Sequence, residues 1–397
     1  MRVAFVDQSV QMGGVEYTTL RLAQALDKSR YDPMIISPEE GGLPSLARQS
    51  GLCVVIVPCP KFPSVSLLWK NKYIFNPFGM IVSAINVYRA AHNLELYLKK
   101  HPIDVLITKG LMAHFYGGIA AKRLKVPCIW YMQEEVDLNR AWGLHGYLLN
   151  RGAKSLPNKI IVDAEDLLGQ FSGKFTDKDK LSFINNGIDL KEFKPLSEQE
   201  IRSARSVLHI PENSLVVGQA GRIIPLKGQD VLLEAFSQLI SKHPNLHLLF
   251  VGAPLFGNLE FDKQLKAFVE QQGLSDHVTF TGFLPDVRQG LAAMDIFVQA
   301  SIETDSPISV LEAMACGLPV VVSGVRGTTE MVKPEVDALI FKPGDPKMLA
   351  HSLEQLISSA PLRQDLGKTA RLSVISKFSL EQSLVQFQEL LEGVYAS

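Results

Sequence analysis

Short, continuous apolar runs alternate with amphipathic stretches along nearly the whole chain, and the runs come in two series. Val3–Val6, Met34–Ser37, Cys53–Val57, Val105–Thr108, Cys128–Tyr131 and Ile160–Val162 make up the first. Leu215–Gln219, Leu246–Val251, Val278–Thr281, Ile296–Gln299, Pro319–Val322 and Ala338–Phe341 make up the second. Runs that are apolar throughout suit strands buried on both faces of a parallel sheet. Between them, Val15, Thr18, Thr19, Leu22 and Leu26 repeat with a helical period, as do Val231, Leu232, Ala235, Phe236, Leu239 and Ile240. Strand–helix alternation predicts an α/β protein, and two series predict two doubly wound, Rossmann-like domains with parallel sheets.

The strand signal stops between Asp189 and Ser214, where Lys191, Glu192, Lys194, Pro195 and Pro211 gather. The expected division is an N-terminal domain over 1–190, a C-terminal domain over 191–375 and a final helix over 376–397. Ser379-Leu380-Glu381-Gln382 reads as a capping box, and Leu380, Leu384, Phe387 and Leu391 form one stripe. Either domain could receive that stripe; the expectation is that it packs back toward the N-terminal one.

Charge and cysteine content narrow the function. Lys plus Arg number 40 against 41 for Asp plus Glu, so nothing suggests a nucleic-acid partner, while a small phosphorylated ligand remains open. The cysteines at 53, 59, 128 and 316 form no C-x-x-C pair, which suits reduced, mostly buried thiols in a cytoplasmic protein, with neither a disulfide framework nor a zinc site. No stretch approaches the ~18 apolar residues of a membrane span, and the N-terminal apolar stretch is too short for a signal sequence.

In doubly wound sheets, ligands bind where strand carboxyl ends meet helix N-termini. Three motifs fall in such loops. Gly13-Gly14-Val15-Glu16 follows the first run; by itself it serves an anion or merely a tight turn. G-x-G-x-x-G and G-x-x-x-x-G-K-[ST] are both absent, which disfavours dinucleotide oxidoreductases and P-loop NTPases. Gly221-Arg222-Ile223-Ile224-Pro225-Leu226-Lys227-Gly228 carries two cations suited to a diphosphate, although such a pair alone is as often solvated. Glu303-Thr304-Asp305-Ser306-Pro307-Ile308-Ser309 leads into an apolar helix, with Ser306 expected as N-cap and Pro307 as first helical residue. Glu312 lies further along that helix, where a carboxylate can accept from ribose hydroxyls or simply face water.

Taken together, these motifs resemble the GT-B glycosyltransferases, specifically the retaining, nucleotide-sugar-dependent enzymes of family 4. The resemblance also takes in Asn186-Gly187-Ile188-Asp189, Phe280-Thr281-Gly282-Phe283, Glu312-Ala313-Met314-Ala315-Cys316-Gly317 and Gly327-Thr328-Thr329-Glu330. It implies two Rossmann-like domains facing across a cleft. It implies that Arg222 and Lys227 bind the donor diphosphate, that Glu312 holds the ribose, and that Phe283 and Leu284 border the base. Gly14, with Gly13, Gly221, Ile308 and Ser309, would contact the diphosphate or sugar, beside Ser306 and Pro307. No metal or other cofactor is implied.

Two positions depart from the family pattern. Thr304 stands where a Glu is usual, flanked by Glu303 and Asp305, and Gln133 stands where a His is frequent, followed by Glu134. His114 reads either as an acceptor contact or as a core histidine. Segment 61–100 mixes aromatic residues with Lys and Arg; it reads mostly as packed helix, with a surface meeting lipid-linked substrate at a membrane as the alternative. The resulting expectation is a retaining transferase moving a sugar from UDP, GDP or a similar carrier to a glycan or lipid-linked hydroxyl, in the cytoplasm or peripherally at a membrane. A GT-B-like protein that binds nucleotide sugar without transfer is the alternative, motivated by Thr304 and Gln133. A sugar-nucleotide epimerase of the same fold is the third.

Overall fold

The structure is a computed structural model describing residues 1–8, 14–63, 66–69, 72–133, 144–163, 168–169, 171, 176, 178–254, 259–303 and 307–396. It comprises two compact units, Met1–Asn186 with Ser383–Ser397, and Gly187–Gln382. The first contains β1 (Arg2–Asp7), β2 (Asp32–Ser37), β3 (Cys53–Ile56), β4 (Ser66–Trp69), β5 (Lys72–Phe75), β6 (Val105–Lys109), β7 (Cys128–Met132), β8 (Lys159–Val162) and β9 (Leu181–Phe183). Seven of these form one parallel sheet in the order β3-β2-β1-β6-β7-β8-β9. The second unit contains β10 (Leu215–Ala220), β11 (Leu246–Val251), β12 (Val278–Phe280), β13 (Ile296–Gln299), β14 (Val320–Ser323) and β15 (Leu339–Phe341). These also pair in parallel, in the order β12-β11-β10-β13-β14-β15. Strand order reverses between β1 and β6 in one sheet and between β10 and β13 in the other.

Each sheet is buried on both faces, as continuous apolar runs require. In the first unit, Ala4, Val6, Leu106, Trp130 and Ile160 pack under helices Pro77–Lys100 and Leu111–Leu124. Elsewhere in the same unit Phe5 stacks on Phe387 of helix Leu380–Tyr395, with ring centroids 6.3 Å apart. In the second unit one core gathers Val216, Phe297, Leu311 and Val320, and the other Val217, Leu232, Phe236, Ile296 and Leu353.

Several local details differ from the sequence expectation. Segment 61–100 is mostly helix, as expected, but the helix begins only at Pro77, capped by Asn76, and β4 and β5 pair antiparallel before it. The C-terminal stripe is buried at Ser383, Phe387, Leu391 and Val394, so its phase is set by packing and includes a serine. Of the expected capping box, the Gln382 N–H donates to Ser379 Oγ at 3.3 Å. Cys53 is exposed, whereas Cys128 and Cys316 are buried. Among the described residues, no helix is long and apolar enough to cross a membrane.

Candidate active site

The strand-order reversal between β10 and β13 places two loops side by side at the strand ends, the position where open α/β sheets bind ligands. The loop after β10 is folded back on the sheet by buried side chains. Gln219 Nε2 donates to Lys227 O at 2.7 Å, and Gln229 Nε2 donates to Arg222 O at 2.8 Å. Both glutamines are buried, and their Oε1 atoms have no hydrogen-bond partner among the described residues. Fixing the carbonyls of Arg222 and Lys227 fixes where both cationic side chains leave the backbone. Arg222 is exposed and Lys227 half-buried.

The loop after β13 is tied to this one by Ile302 N–H donating to Leu226 O at 3.0 Å. Ser323 Oγ donates to Ser301 O at 2.6 Å and secures it from the other side. Gly228 has φ +64, and a Cβ on it would fall 2.0 Å from Ala300 O, so the two loops meet where only glycine fits. Helix Ile308–Ala315 then begins. Its first N–H groups, including those of Ile308 and Ser309, have no acceptor within the helix, and they carry the positive end of its dipole. Pro307 precedes the helix with ψ 116, so it is the N-cap and not the first helical residue expected from sequence. Proline's fixed φ suits either place, and only ψ distinguishes them. Ser306, expected as N-cap, and Thr304 lie outside the described residues, as do Asp305, Gly13 and Glu134.

Glu312 is buried on this helix, not a solvated surface residue. Phe283 is exposed and Leu284 half-buried, just after Gly282 at the end of β12. Glu303 is exposed, and Gly14 is the first residue of helix Gly14–Ala25.

The first unit has a polar row along the carboxyl edge of its own sheet. Asp7 ends β1, Lys109 ends β6, Gln133 follows β7, Asp163 follows β8 and Asn186 comes after β9. Gln133 Nε2 donates to Asp163 Oδ2 at 3.0 Å and to Asn186 Oδ1 at 2.8 Å, while Asn186 Nδ2 donates to Asp163 Oδ2 at 2.6 Å. Burial raises the Asp163 carboxyl above its usual range, opposed by those two donors and by the Lys109 charge. Lys109 is itself buried, its Nζ 4.6 Å from the centre of the Tyr131 ring. His114, by contrast, is a core residue. Its Nδ1 lies 2.8 Å from Thr108 Oγ1, its ring stacks 5.1 Å from Trp130, and burial with the Lys109 charge pushes its pKa down to about 3. Lys109 and Asp163 were not singled out from sequence, though each sits at the loop end of an apolar run, where ligand-facing residues concentrate.

Two family models match: glycosyltransferase family 4 over residues 12–192, and glycosyl transferases group 1 over residues 200–373. Between them they span most of both sheets. The chain belongs to the GT-B glycosyltransferases of family 4. The group 1 match contains Arg222, Lys227 and Glu312, and the family 4 match contains Lys109, Gln133, Asp163 and Asn186 of the polar row. Among curated relatives, an Escherichia coli UDP-Gal:α-D-GlcNAc-diphosphoundecaprenol α-1,3-galactosyltransferase is 24% identical over 98% of this chain and 96% of its own length. A Corynebacterium urealyticum D-inositol 3-phosphate glycosyltransferase is 30% identical over 55% of this chain, which spans about half (52%) of that protein. Among solved structures, Anabaena HepE in complex with UDP superposes with a TM-score of 0.84 at 22% identity, covering 99% of this chain and 100% of that one. The same protein bound to UDP-glucose gives 0.83 at 22% identity, covering 99% of this chain and all of that one.

Proposed function

We propose that this transferase moves a hexose from a UDP-sugar to a hydroxyl of a glycan carried on a lipid diphosphate, with retention at the anomeric carbon. One observation carries the reading: two loops at the β10/β13 reversal are locked by Gln219, Gln229 and the Ile302–Leu226 bond, which fixes the backbone of Arg222 and Lys227 at the strand ends, and helix Ile308–Ala315 starts just beyond the second loop. That is a seat for a diphosphate whose negative charge grows as it leaves. The UDP-containing structures and the diphosphoundecaprenol-linked acceptor named for the E. coli relative support this choice of donor and acceptor.

In this reading the bond from the anomeric carbon to the phosphate oxygen breaks and the bond to the acceptor oxygen forms on the same face. The acceptor proton passes to the departing diphosphate. Arg222, Lys227 and the N–H groups of Ile308 and Ser309 stabilise that diphosphate. Glu312 accepts from the ribose, and Phe283 and Leu284 border the uracil. Gly221, Glu303 and Pro307 line the donor. The donor loads on the second unit and the acceptor on the first, where Gln133 and Glu134 meet it; the buried His114 is left out of that contact. The cations and helix end take the part a divalent ion plays elsewhere, so turnover persists in EDTA.

Arg222→Ala/Lys227→Ala should lower kcat by about 10²–10³ with UDP-galactose or UDP-glucose, the scale of a lost charge-stabilising donor. An unchanged kcat would refute the assignment. Gln133, an amide unable to shuttle a proton, favours one second reading: a protein that binds the nucleotide sugar without transfer. Retained UDP-sugar binding with no turnover on any acceptor would establish it.

A further inference from the structure

Helix Pro77–Lys100 buries Ala90, Leu94 and Leu98 against the first sheet and bonds Ser83 and Asn86 to the Pro63 and Lys61 carbonyls, yet its outward face is not polar. Phe78 is 75% exposed, Ile81 56%, Ile85 48% and Tyr88 60%, with Leu96 two turns further on. Scattered exposed apolar residues are ordinary. These recur at three- and four-residue steps, so they share one face over roughly 15 Å from Phe78 to Tyr88. The charges beside them are of one sign. Arg89, Lys99 and Lys100 are exposed on the same helix, and the Arg123 guanidinium lies 4.4 Å from the Tyr88 ring centre. The helix's one acid, Glu95, is mostly buried and bonded to Lys99 at 2.7 Å and Arg123 at 3.2 Å.

We infer that this face lies in the interface of an anionic bilayer, with Phe78, Ile81, Ile85 and Tyr88 among the upper acyl chains and the bases at the headgroups. Apolar depth and uniform positive charge are what such an interface selects, and neither suffices alone for firm attachment. A protein partner would require acidic complementarity that the apolar N-terminal half of the face does not call for. The inference deepens the lipid-linked acceptor reading but stands on the helix surface, so vesicle binding and turnover are measured separately.

The test is cosedimentation of the full chain with phosphatidylcholine vesicles carrying 30% phosphatidylglycerol (roughly the anionic content at which basic residues act), and with phosphatidylcholine alone. Binding should require the anionic lipid and weaken in high salt. Phe78→Ser/Ile81→Ser/Ile85→Ser should lose binding by at least about 50-fold, and Arg89→Gln/Lys99→Gln/Lys100→Gln by about fivefold per base. Leu372→Ser/Ile375→Ser, which removes exposed apolar residues of the second unit, should bind as wild type. Unaltered thermal unfolding and UDP affinity keep the comparison clean. Equal binding by wild type and the serine variant overturns the inference. So does a concentration-dependent dimer in analytical ultracentrifugation that the serine variant abolishes, since the face would then join two copies.

Discussion

Gly252 offers a way to move Arg222 without touching its side chain. It follows β11 at φ +139, and its N–H donates to Gly282 O at 3.0 Å. A Cβ added there falls 1.9 Å from Gly221 O, 2.8 Å from Gly221 C and 3.6 Å from Arg222 N. Since such contacts do not go below 3.0 Å, the Gly221 carbonyl must retreat by roughly 1 Å, and Arg222 is attached to it. A misplacement of about 1 Å at a positioned group costs about 10²-fold in rate. The backbone strain adds about 1–3 kcal/mol of instability, at about 2–4 °C of Tm per kcal/mol for a unit of this size. Gly273→Ala is the control: its φ is +67, with nothing within 4 Å of the added carbon. It should cost about 1 kcal/mol and leave kcat/KM unchanged. Initial rates with a UDP-sugar, alongside thermal unfolding, separate the two variants. If Gly252→Ala keeps the kcat/KM of Gly273→Ala, the argument that Arg222 is placed by this glycine contact is wrong.

Two other substitutions probe different parts of the molecule. Glu312→Ala should raise the KM for the donor about 10–100-fold, through loss of hydrogen bonds to a charged acceptor, with a smaller change in kcat; an unchanged KM removes Glu312 from the ribose. His114 has a native pKa of about 3 against 6.5 in the unfolded chain, so between those values the unfolded chain binds a proton the native one does not. Its contribution is complete above pH 6.5 and is lost on acidification at up to ~1.4 kcal/mol per pH unit. Urea unfolding from pH 7 to pH 4 should show a shallower dependence in His114→Phe, and an identical slope would place the titration elsewhere.

The strand series and the parallel order follow directly from runs such as Leu246–Val251 and Ile296–Gln299, because burial on both faces leaves no alternation to misread. Strand β9, Leu181–Phe183, is three residues long and follows Lys178 and Lys180, too little apolar material to announce itself. The β4–β5 hairpin was hidden because segment 61–100 as a whole reads helical from Ala84 onward. In the site, Arg222 and Lys227 are legible by residue type, but what fixes them is not. Gln219 and Gln229 look like one strand residue and one helix residue, and their hold on the Lys227 and Arg222 carbonyls depends on a fold-back only the assembled loop displays. His114 misleads for the same reason: its place in the first turn of the helix after β6 suggests a ligand contact, while the ring turns into the core against Trp130.

Gln133 shows how far one departure from a family pattern can be interpreted. Its Nε2 places two hydrogens on two acceptors, Asp163 Oδ2 and Asn186 Oδ1. A neutral imidazole has one N–H, and its two nitrogens face different directions, so it cannot satisfy both acceptors from that position. Gln133→His therefore strips a donor from a buried pair whose carboxyl burial already raises. The expected cost at pH 7.5 is about 1–3 kcal/mol, the penalty of a buried polar group left short of a partner. The deficit has a sign in pH. A carboxyl with a raised native pKa destabilises the fold above that pKa and ceases to as it is protonated, and an imidazolium would regain a second N–H. Both effects shrink the deficit on acidification. Urea unfolding at pH 7.5 and 5.5 reads it, and a Gln133→His variant as stable as wild type at pH 7.5 would show that the amide is not held as described. The glutamine is thus part of a network with Asn186 and Asp163, and its buried Oε1 has no hydrogen-bond partner among the described residues. Under the proposed transferase reading, Gln133 therefore acts by holding Asp163 and Asn186 in place and not as a proton shuttle.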